Sequence, residues 1–250
     1  MKKSSKQFLL ISFFISYLCF GIIIHSNIKF NQVFNSPLYL IIFILGCLGP
    51  FISALTVHIL NKENLGGIKG FTKKLITIKK TKTIVLIPIF LIAHFLFAML
   101  FRGVYRYGKI IDFFRYLPIM LLIIGSQEIG WRGIVQPANE DEKGFWKSSI
   151  VTGLFWSLWF LPLIFIPNFI VLPQFYMHFS AYLVGISILS TTLYKISENI
   201  LYCIILSSFI FALFPVIVLK QNYILIGIAL VDAIIATTFK DKTLSKRIIN

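Results

Sequence analysis

The chain of 250 residues is 58% hydrophobic and 13% charged, with a mean hydropathy of +0.87. Soluble domains carry about 25% charged and 45–50% apolar residues, so this composition excludes a soluble enzyme, a disordered chain and a secreted disulfide scaffold. The apolar residues form blocks of roughly 17–24, each long enough to cross a hydrocarbon core as a helix. The sequence therefore predicts an all-α, polytopic membrane helical bundle.

The predicted elements are eight apolar helices joined by short polar loops. No internal repeat or long linker interrupts them, so residues 1–250 are predicted to form a single integral membrane domain. Pro137 is expected to end the fourth helix, and the acidic residues 140–142 are expected to form a solvated cytoplasmic turn. The helices are predicted over residues 8–24, 38–60, 83–100, 117–138, 149–166, 175–194, 199–219 and 221–239.

The net charge of +15 is unevenly distributed along the chain. Most basic residues fall in segments 2–6, 62–82, 143–147, 195 and 240–247, which lie on one side of the membrane if the chain crosses it eight times. Cytoplasmic loops of membrane proteins carry such an excess of lysine and arginine. Both termini are therefore predicted to be cytoplasmic, and the positive charge indicates topology and contact with the lipid bilayer, not a nucleic-acid partner.

The fourth predicted helix contains the strongest polar cluster, within residues 127–133. Glu128 and Arg132 are four residues apart, so a helix places them on one face about one turn apart, in the order that favours an ion pair. One interpretation is a structural pair that lets the helix carry neutralised charges, with Gly130 and Gly133 allowing close packing. The other is a carboxylate that faces a cavity and activates water or binds a cation. The segment alone leaves both open.

Other polar residues in the predicted helices are weaker candidates. Asp232 has no basic residue four positions away, and a transporter interpretation depends on it. Glu198 is expected at the N-terminus of the seventh helix, where a carboxylate is stabilised. Ser126 has no histidine or lysine partner at a nucleophile's spacing. The four histidines and three cysteines are too scattered to indicate a metal site or a disulfide: His25, His58, His94, His178, Cys19, Cys47 and Cys203.

Residues 127–133 resemble the first signature of the CPBP family, which comprises type II CAAX-protease-like and bacteriocin-immunity-like membrane proteins. Its usual form is Glu-Glu-x-x-x-Arg, and the sequence here reads Gln-Glu-Ile-Gly-Trp-Arg-Gly. Residues 156–162, Trp-Ser-Leu-Trp-Phe-Leu-Pro, are similar to the second signature, and residues 187–201 resemble the run before the third. A weaker similarity covers residues 49–55. Together these segments define a CPBP-like core over about residues 40–215.

The sequence departs from the family at most signature positions, and these departures bear on activity. The resemblance implies that active relatives use glutamate and histidines, with a divalent metal such as zinc, to activate water on a peptide bond. Glu128 and Arg132 are retained, whereas the first Glu, the second-signature His, and the third-signature His and Asn or Asp are replaced by Gln127, Phe160, Ser207 and Phe211.

The missing donors favour a degenerate family member. A catalytic metal site needs about three protein ligands, and Phe160 and Phe211 offer none, so no metal ligand and no cofactor are predicted. We therefore expect a multi-pass protein of a bacterial cell membrane, in which Glu128 and Arg132 are vestigial motif positions. It would bind a peptide, lipid or membrane protein, for example in bacteriocin self-immunity or in support of an envelope complex. The alternative is an active intramembrane metalloendopeptidase of the CAAX-processing type, remodelled around Glu128.

Overall fold

The computed structural model describes residues 2–220 and 222–240, and each of the eight predicted apolar segments contains a helix. Lys242, Lys246 and Arg247, which contribute to the topology prediction, lie outside the described residues, as does the side chain of Lys240. The α-helices are α1 (Lys3–His25), α2 (Phe30–Val33), α3 (Pro37–Cys47), α4 (Gly49–Leu60), α5 (Lys62–Leu65), α6 (Gly67–Ile76), α7 (Leu86–Leu100), α8 (Ile110–Ile123), α9 (Glu128–Gly130), α10 (Gln136–Phe160), α11 (Tyr176–Ser197), α12 (Ile200–Ala212) and α13 (Tyr223–Lys240).

Shorter turns and one strand pair complete the described part of the chain. Five residues, Trp131–Val135, form a π-helical turn between α9 and α10. The strands β1 (Val104–Arg106) and β2 (Ile217–Leu219) pair in an antiparallel register. The 3₁₀ turns are Thr81–Val85, Gly125–Gln127, Leu161–Phe165 and Pro173–Phe175.

The helices have the length and composition of a membrane bundle. Four described helical stretches are long and apolar enough to span a membrane, or five if α3 and α4, which meet at a bend of 51°, form one span. One of these stretches, Ile110–Phe165, has 56 residues and contains both the fourth and the fifth predicted helix. The shorter apolar helices are α12 and α13. The all-α membrane bundle is confirmed, although length and composition alone assign fewer complete spans than the eight predicted.

Contacts at the two ends of the bundle agree with a chain that alternates in direction. At one end, Lys2 Nζ lies 2.5 Å from Asp141 Oδ2 and Lys195 Nζ lies 2.6 Å from Glu140 Oε1. This end also carries residues 62–82, and we refer to it as the lysine-rich end. At the opposite end, β1 pairs with β2. These contacts place residues 2, 140, 141 and 195 at one end of the bundle and the strand pair at the other, which is the arrangement that eight alternating helices predict.

The prediction that Pro137 ends the fourth helix is wrong. Pro137 lies in the first turn of α10, and helical structure continues through residues 140–142. A proline is tolerated there because the first N–H groups of a helix have no partner within it, and the π-helical turn before it already disrupts the regular bonding. The break occurs at Gly144, whose φ of 71° belongs to the left-handed region that glycine adopts readily. The acidic residues therefore lie on helix, not in a turn.

Helix α11 occupies the centre of the bundle, with α10 on one side and α13 on the other. Glycines permit these close approaches. A Cβ at Gly153 would lie 2.7 Å from Val184 Cα, and one at Gly185 would lie 2.6 Å from Ala229 Cα. Small residues are typical where membrane helices pack, because no solvent drives association and backbones must come close. This arrangement brings the polar faces of the fourth, sixth and seventh predicted helices together.

Candidate functional site

The motif segment passes through three kinds of helix within eleven residues. The 3₁₀ turn Gly125–Gln127 leads into α9, and the π-helical turn Trp131–Val135 follows. Glycine allows the segment to approach its neighbours: a Cβ at Gly125 would lie 2.4 Å from Ser208 Oγ on α12. π-Helical turns are rare and often coincide with functional sites, because they displace side chains from the regular helical pattern. The changes of helix type in this segment therefore determine where its side chains are placed.

Glu128 and Arg132 form a fully buried ion pair at the centre of the segment. Arg132 Nε lies 2.8 Å from Glu128 Oε2, and both side chains are 0% exposed. Ser207 of α12 donates its hydroxyl to Glu128 Oε1 over 2.5 Å. Arg132 Nη1 donates to Ser187 Oγ at 3.1 Å and to Thr191 Oγ1 at 3.3 Å on α11. Both carboxylate oxygens are therefore engaged, one by a cation and one by a hydroxyl.

The Arg132 guanidinium retains one orphan nitrogen. Its Nη2 has no hydrogen-bond partner among the described residues. The backbone of the same turn is tied to the lysine-rich end, since Lys74 Nζ donates to the carbonyl of Gly133 at 3.0 Å. Burial lowers the pKa of the Lys74 ammonium on α6. The π-helical turn is therefore held from the membrane surface by a lysine and from the core by the ion pair.

Gln127 makes hydrogen bonds that a carboxylate could not make in full. Its Nε2 donates to the backbone carbonyls of Ile123 at 2.6 Å and Cys47 at 3.3 Å. Its Oε1 accepts from Trp156 Nε1 at 3.1 Å and from Trp131 Nε1 at 3.4 Å. A carboxylate is only an acceptor, so a glutamate at this position would leave two carbonyls without their donor. The amide therefore suits its present surroundings.

Phe160 and Phe211 meet beside the polar pair. Their rings are stacked, with centroids 6.0 Å apart and an interplanar angle of 13°. Trp156, which bonds Gln127, also packs against both rings, at 6.2 Å from Phe160 and 6.0 Å from Phe211. Phe179 of α11 meets the edge of Phe160 at 5.4 Å. The two phenylalanines thus fill one dry, aromatic volume.

The six motif positions named from the sequence form one cluster. Ser207 donates to the Glu128 carboxylate, and Trp156, which packs on both phenylalanine rings, donates to Gln127. The sequence did not indicate the partners that complete the cluster on α10 and α11. Hydroxyl residues spaced four apart in an apolar helix were the available signal, since such residues seek a polar partner in a bilayer. The partners missed were Trp156, Ser187 and Thr191.

The residues present do not fit a catalytic metal. Within the ranges that the structure describes, no three or more His, Cys, Asp or Glu side chains come together as a metal site would require. Around Glu128 the other donors are a neutral serine hydroxyl and amide or hydroxyl groups, and the neighbouring arginine would repel a cation. Imidazole, thiolate and carboxylate are the ligands that transition metals take from proteins. Phenylalanine rings supply none of these.

The remaining candidates lie elsewhere. Ser126 donates to the carbonyl of Leu122, as a helix serine commonly does. His58 Nδ1 lies 2.8 Å from the carbonyl of Ala54 on its own helix, and His178 contacts Phe175 near the opposite end. His25 closes the last turn of α1. None of these side chains contacts the Glu128 cluster among the described residues.

Glu198 does not cap the seventh predicted helix. It ends α11 with a φ of 56°, and Asn199 caps α12 by accepting from the backbone N–H of Leu201. The Glu198 carboxylate pairs with Lys80 at 2.6 Å and Lys79 at 3.3 Å. These two lysines lower the pKa of Glu198 through hydrogen bonds and charge. Asparagine competes well for the capping position because its side-chain oxygen reaches the first free N–H groups.

Two comparisons with known proteins found similarity to CAAX prenyl proteases. The family model for type II CAAX prenyl endopeptidase Rce1-like proteins matches residues 109–211. The CAAX prenyl protease 2 of Methanococcus maripaludis is 29% identical to the chain over 182 residues, which are 67% of this chain and 65% of that protein. The chain therefore spans slightly less than two thirds of the length of this relative.

Fold and site together define a multi-pass helical membrane protein with a buried glutamate–arginine pair in the position of a protease signature. The matched residues 109–211 include all six motif positions. Over these residues the chain is similar to type II CAAX-protease-like membrane proteins. Both comparisons support the resemblance to the CPBP family inferred from the signature segments.

Proposed function

We propose that this chain is a degenerate CPBP-family protein of a cell membrane, which binds a membrane-embedded peptide, lipid or protein partner without cleaving it. The observation that carries the proposal is the stack of Phe160 on Phe211. In the resemblance these positions correspond to a histidine and to an asparagine or aspartate. Two donor groups are replaced by two rings in mutual contact, so the volume that would hold a metal and its water holds hydrocarbon.

The state of Glu128 supports the same proposal. A general base must have an acceptor oxygen directed at the water that it deprotonates. Both oxygens of Glu128 already accept hydrogen bonds, from Arg132 and Ser207. Water activation would require at least one of these bonds to open in a fully buried site, where an unpaired charge is costly. The pair instead acts as a polar brace that fixes α9 against α11 and α12.

The exterior of the helical bundle is consistent with a role in binding. The bundle presents an apolar exterior, so a partner within the bilayer can dock along it. Self-immunity to a bacteriocin and support of an envelope complex are roles of this kind, and a bacterial origin accompanies them in the proposal. We also propose that residues 1–250 form one membrane domain, with a core at about residues 40–215.

A second candidate is an active intramembrane metalloendopeptidase with a site remodelled around Glu128. Retention of Glu128 and Arg132, together with a relative named as a CAAX prenyl protease, favours it. This candidate requires a metal held by ligands other than those of the family's signatures. It also requires that hydrolysis disappear when Glu128 loses its charge.

Metal content and peptide cleavage distinguish the two candidates. The full chain is purified in detergent, incubated with zinc, desalted and assayed for bound metal and for cleavage of a prenylated CAAX peptide. For the proposal we expect no stoichiometric zinc and no cleavage above the Glu128→Gln variant. Zinc near one per chain in the wild type, lost in Glu128→Ala, would establish the protease instead. Glu63→Gln, a change at an exposed carboxylate on α5, is the matched control.

Restoring the donors provides the converse experiment. A combined Phe160→His, Ser207→His and Phe211→Asn variant reintroduces the side chains that the signatures carry. If the stacked rings are what excludes the metal, this variant gains zinc binding that the wild type lacks, provided that it elutes as a single folded species. A wild type that binds zinc as well as the restored variant would contradict the proposal.

A further inference from the structure

A second buried polar centre lies in the bundle, apart from the motif cluster. His94 of α7 directs Nδ1 at both carboxylate oxygens of Asp232 on α13, at 2.9 and 3.0 Å. Its other nitrogen, Nε2, lies 3.0 Å from the hydroxyl of Tyr182 on α11. All three side chains are 0% exposed. An acid, an imidazole and a phenol from three helices are thus joined in one line.

The helices are brought together closely at this point. A Cβ at Gly185 of α11 would lie 2.9 Å from Asp232 Oδ2, so the carboxylate fits against bare backbone. Ionisable side chains within membrane helices are expensive, and they persist where they have partners and a role. The motif cluster does not use this centre, since none of its hydrogen bonds reach His94 or Asp232 among the described residues.

The geometry satisfies the centre in two states of protonation. With a neutral imidazole, Nδ1–H donates to the Asp232 carboxylate and the Tyr182 hydroxyl donates to the bare Nε2. With an imidazolium, Nδ1–H still donates to Asp232 and Nε2–H donates to the Tyr182 oxygen. A hydroxyl can be donor or acceptor, so no hydrogen bond is lost in either state. The states differ by one proton, and the net charge of the three groups changes from −1 to zero.

We propose that His94, Tyr182 and Asp232 form a proton-binding site, in which Tyr182 passes the proton to and from His94. On loading, a hydronium ion gives a proton to the Tyr182 oxygen as the Tyr182 hydroxyl proton moves to His94 Nε2. One O–H bond of hydronium and the original Tyr182 O–H bond break, a new Tyr182 O–H bond and the His94 Nε2–H bond form, and water is released. The imidazolium then faces the Asp232 carboxylate. Unloading reverses these steps. The ligand is a proton, and the proposal is independent of the proposed function.

The route to the site lies toward the end opposite the lysine-rich end. A pocket there includes Tyr182, which is the member of the centre that lines it. Its rim reaches the surface, because Ile170 and Val218 are 57% and 42% exposed. The full lining is Ile170, Val171, Phe179, Tyr182, Phe214, Ile217, Val218, Leu219 and Leu225. Tyr182 is thus the residue that the pocket lining and the hydrogen-bonded line share, and we take the proton's route to run along it.

Titratable groups on the surrounding helices do not complete or compete with the centre. Within residues 2–220 and 222–240, the hydrogen bonds of His94 and Asp232 run to each other and to Tyr182. On α12, the Cys203 thiol donates to the backbone carbonyl of Ser190 instead. Among the side chains that the structure describes, the other titratable residues on α11, α12 and α13 are Tyr176, His178, Tyr194, Lys195, Tyr202, Cys203 and Tyr223.

The test follows the two ring nitrogens of His94 by ¹⁵N NMR. The full chain is labelled at its four histidines, reconstituted in lipid nanodiscs and titrated between about pH 5 and 9, a range that spans histidine protonation. The His94 signals are those that His94→Gln removes. We expect Nδ1 to remain protonated throughout, while Nε2 changes from bare to protonated as the pH falls. A His94 Nε2 signal that stays constant would overturn the proposal, because a fixed clamp does not exchange a proton.

Two variants show whether the three groups act together. In Asp232→Asn the loaded state would carry a buried positive charge without a counterion, so we expect the Nε2 change to be lost from this range. In Tyr182→Phe the ring packing is kept while the hydroxyl is removed, and exchange of the Nε2 proton with water should be lost on the NMR timescale. The signal of His25, which is exposed at the end of α1, serves as the internal control in all samples. An unchanged His94 titration in both variants would also refute the proposal.

Discussion

The bundle contains two buried acid–base pairs that are built in opposite ways. Glu128 and Arg132 lie one turn apart on a single helical segment, whereas His94 and Asp232 are 138 residues apart and meet only through folding. The first pair includes a permanently charged arginine. The second includes an imidazole, whose charge changes within the physiological pH range. We conclude that one pair suits a fixed brace and the other suits exchange of a proton.

Replacing Arg132 with alanine should have the largest effect on stability. It leaves Glu128 buried with Ser207 as its remaining partner, and breaking a buried pair by removing one member costs about 3–5 kcal/mol. The free energy of unfolding in detergent, from denaturant titration of helicity, measures this loss. Arg115→Ala is the control, because Arg115 pairs with Asp112 while 69% exposed. Equal losses in the two variants would mean that the buried pair is not a brace.

Replacing His94 with alanine should have a smaller but still large effect. The substitution opens a cavity between α7 and α13 and removes the partner of Asp232, together worth about 2–4 kcal/mol. The loss should be smaller than for Arg132, because the partner removed is an imidazole, which is neutral in one of its two states, whereas arginine is always charged. The same unfolding measurement applies, with His25→Ala as control. If His94→Ala destabilises the protein more than Arg132→Ala does, the contrast between a fixed brace and a proton-exchanging pair is wrong.

Replacing Ser207 with alanine tests the hydroxyl that connects α12 to the brace. A hydrogen bond to a charged group contributes about 1.5 kcal/mol or somewhat more. Ser208 is the neighbouring control, because its hydroxyl donates to the backbone carbonyl of Ile204 at 2.6 Å and not to a charge. Ser207→Ala should therefore destabilise more than Ser208→Ala. The opposite ranking would show that the contact with Glu128 contributes little.

Replacing Glu198 with glutamine should have the smallest effect. Lys80 and Lys79 lower the pKa of this carboxylate, so its contribution is complete above the unfolded value of about 4.3 and is lost as the pH falls through the lower, folded value. The group is exposed and screened, so the contribution is below about 1 kcal/mol. The difference in the free energy of unfolding between the wild type and Glu198→Gln should disappear in acid or in high salt. A difference from Glu198→Gln that persists in high salt would contradict the ion-pair explanation.

The sequence predicted what depends on local spacing. Apolar blocks located eight segments that each contain a helix, although not α5 and α6, and the spacing of Glu128 and Arg132 predicted their ion pair. It could not predict that helical structure continues past Pro137, because a π-helical turn depends on tertiary packing. The partnership of His94 and Asp232 was also beyond it, since neither residue has a polar neighbour in sequence. The resemblance to the family signatures indicated that Phe160 and Phe211 occupy positions where donor residues are expected, but only the fold shows that each ring packs on the other.

That stack has a consequence for the order in which substitutions could have accumulated. Each phenylalanine occupies space beside its partner, so a single return to a donor residue would leave the remaining ring facing a void and a new buried polar group, both destabilising. The effects of the two substitutions are therefore coupled and not additive. A lineage carrying both rings would have to change both positions to regain a polar site, with a less stable intermediate between. The contact between the two rings therefore opposes the introduction of donor residues at these positions by single substitutions.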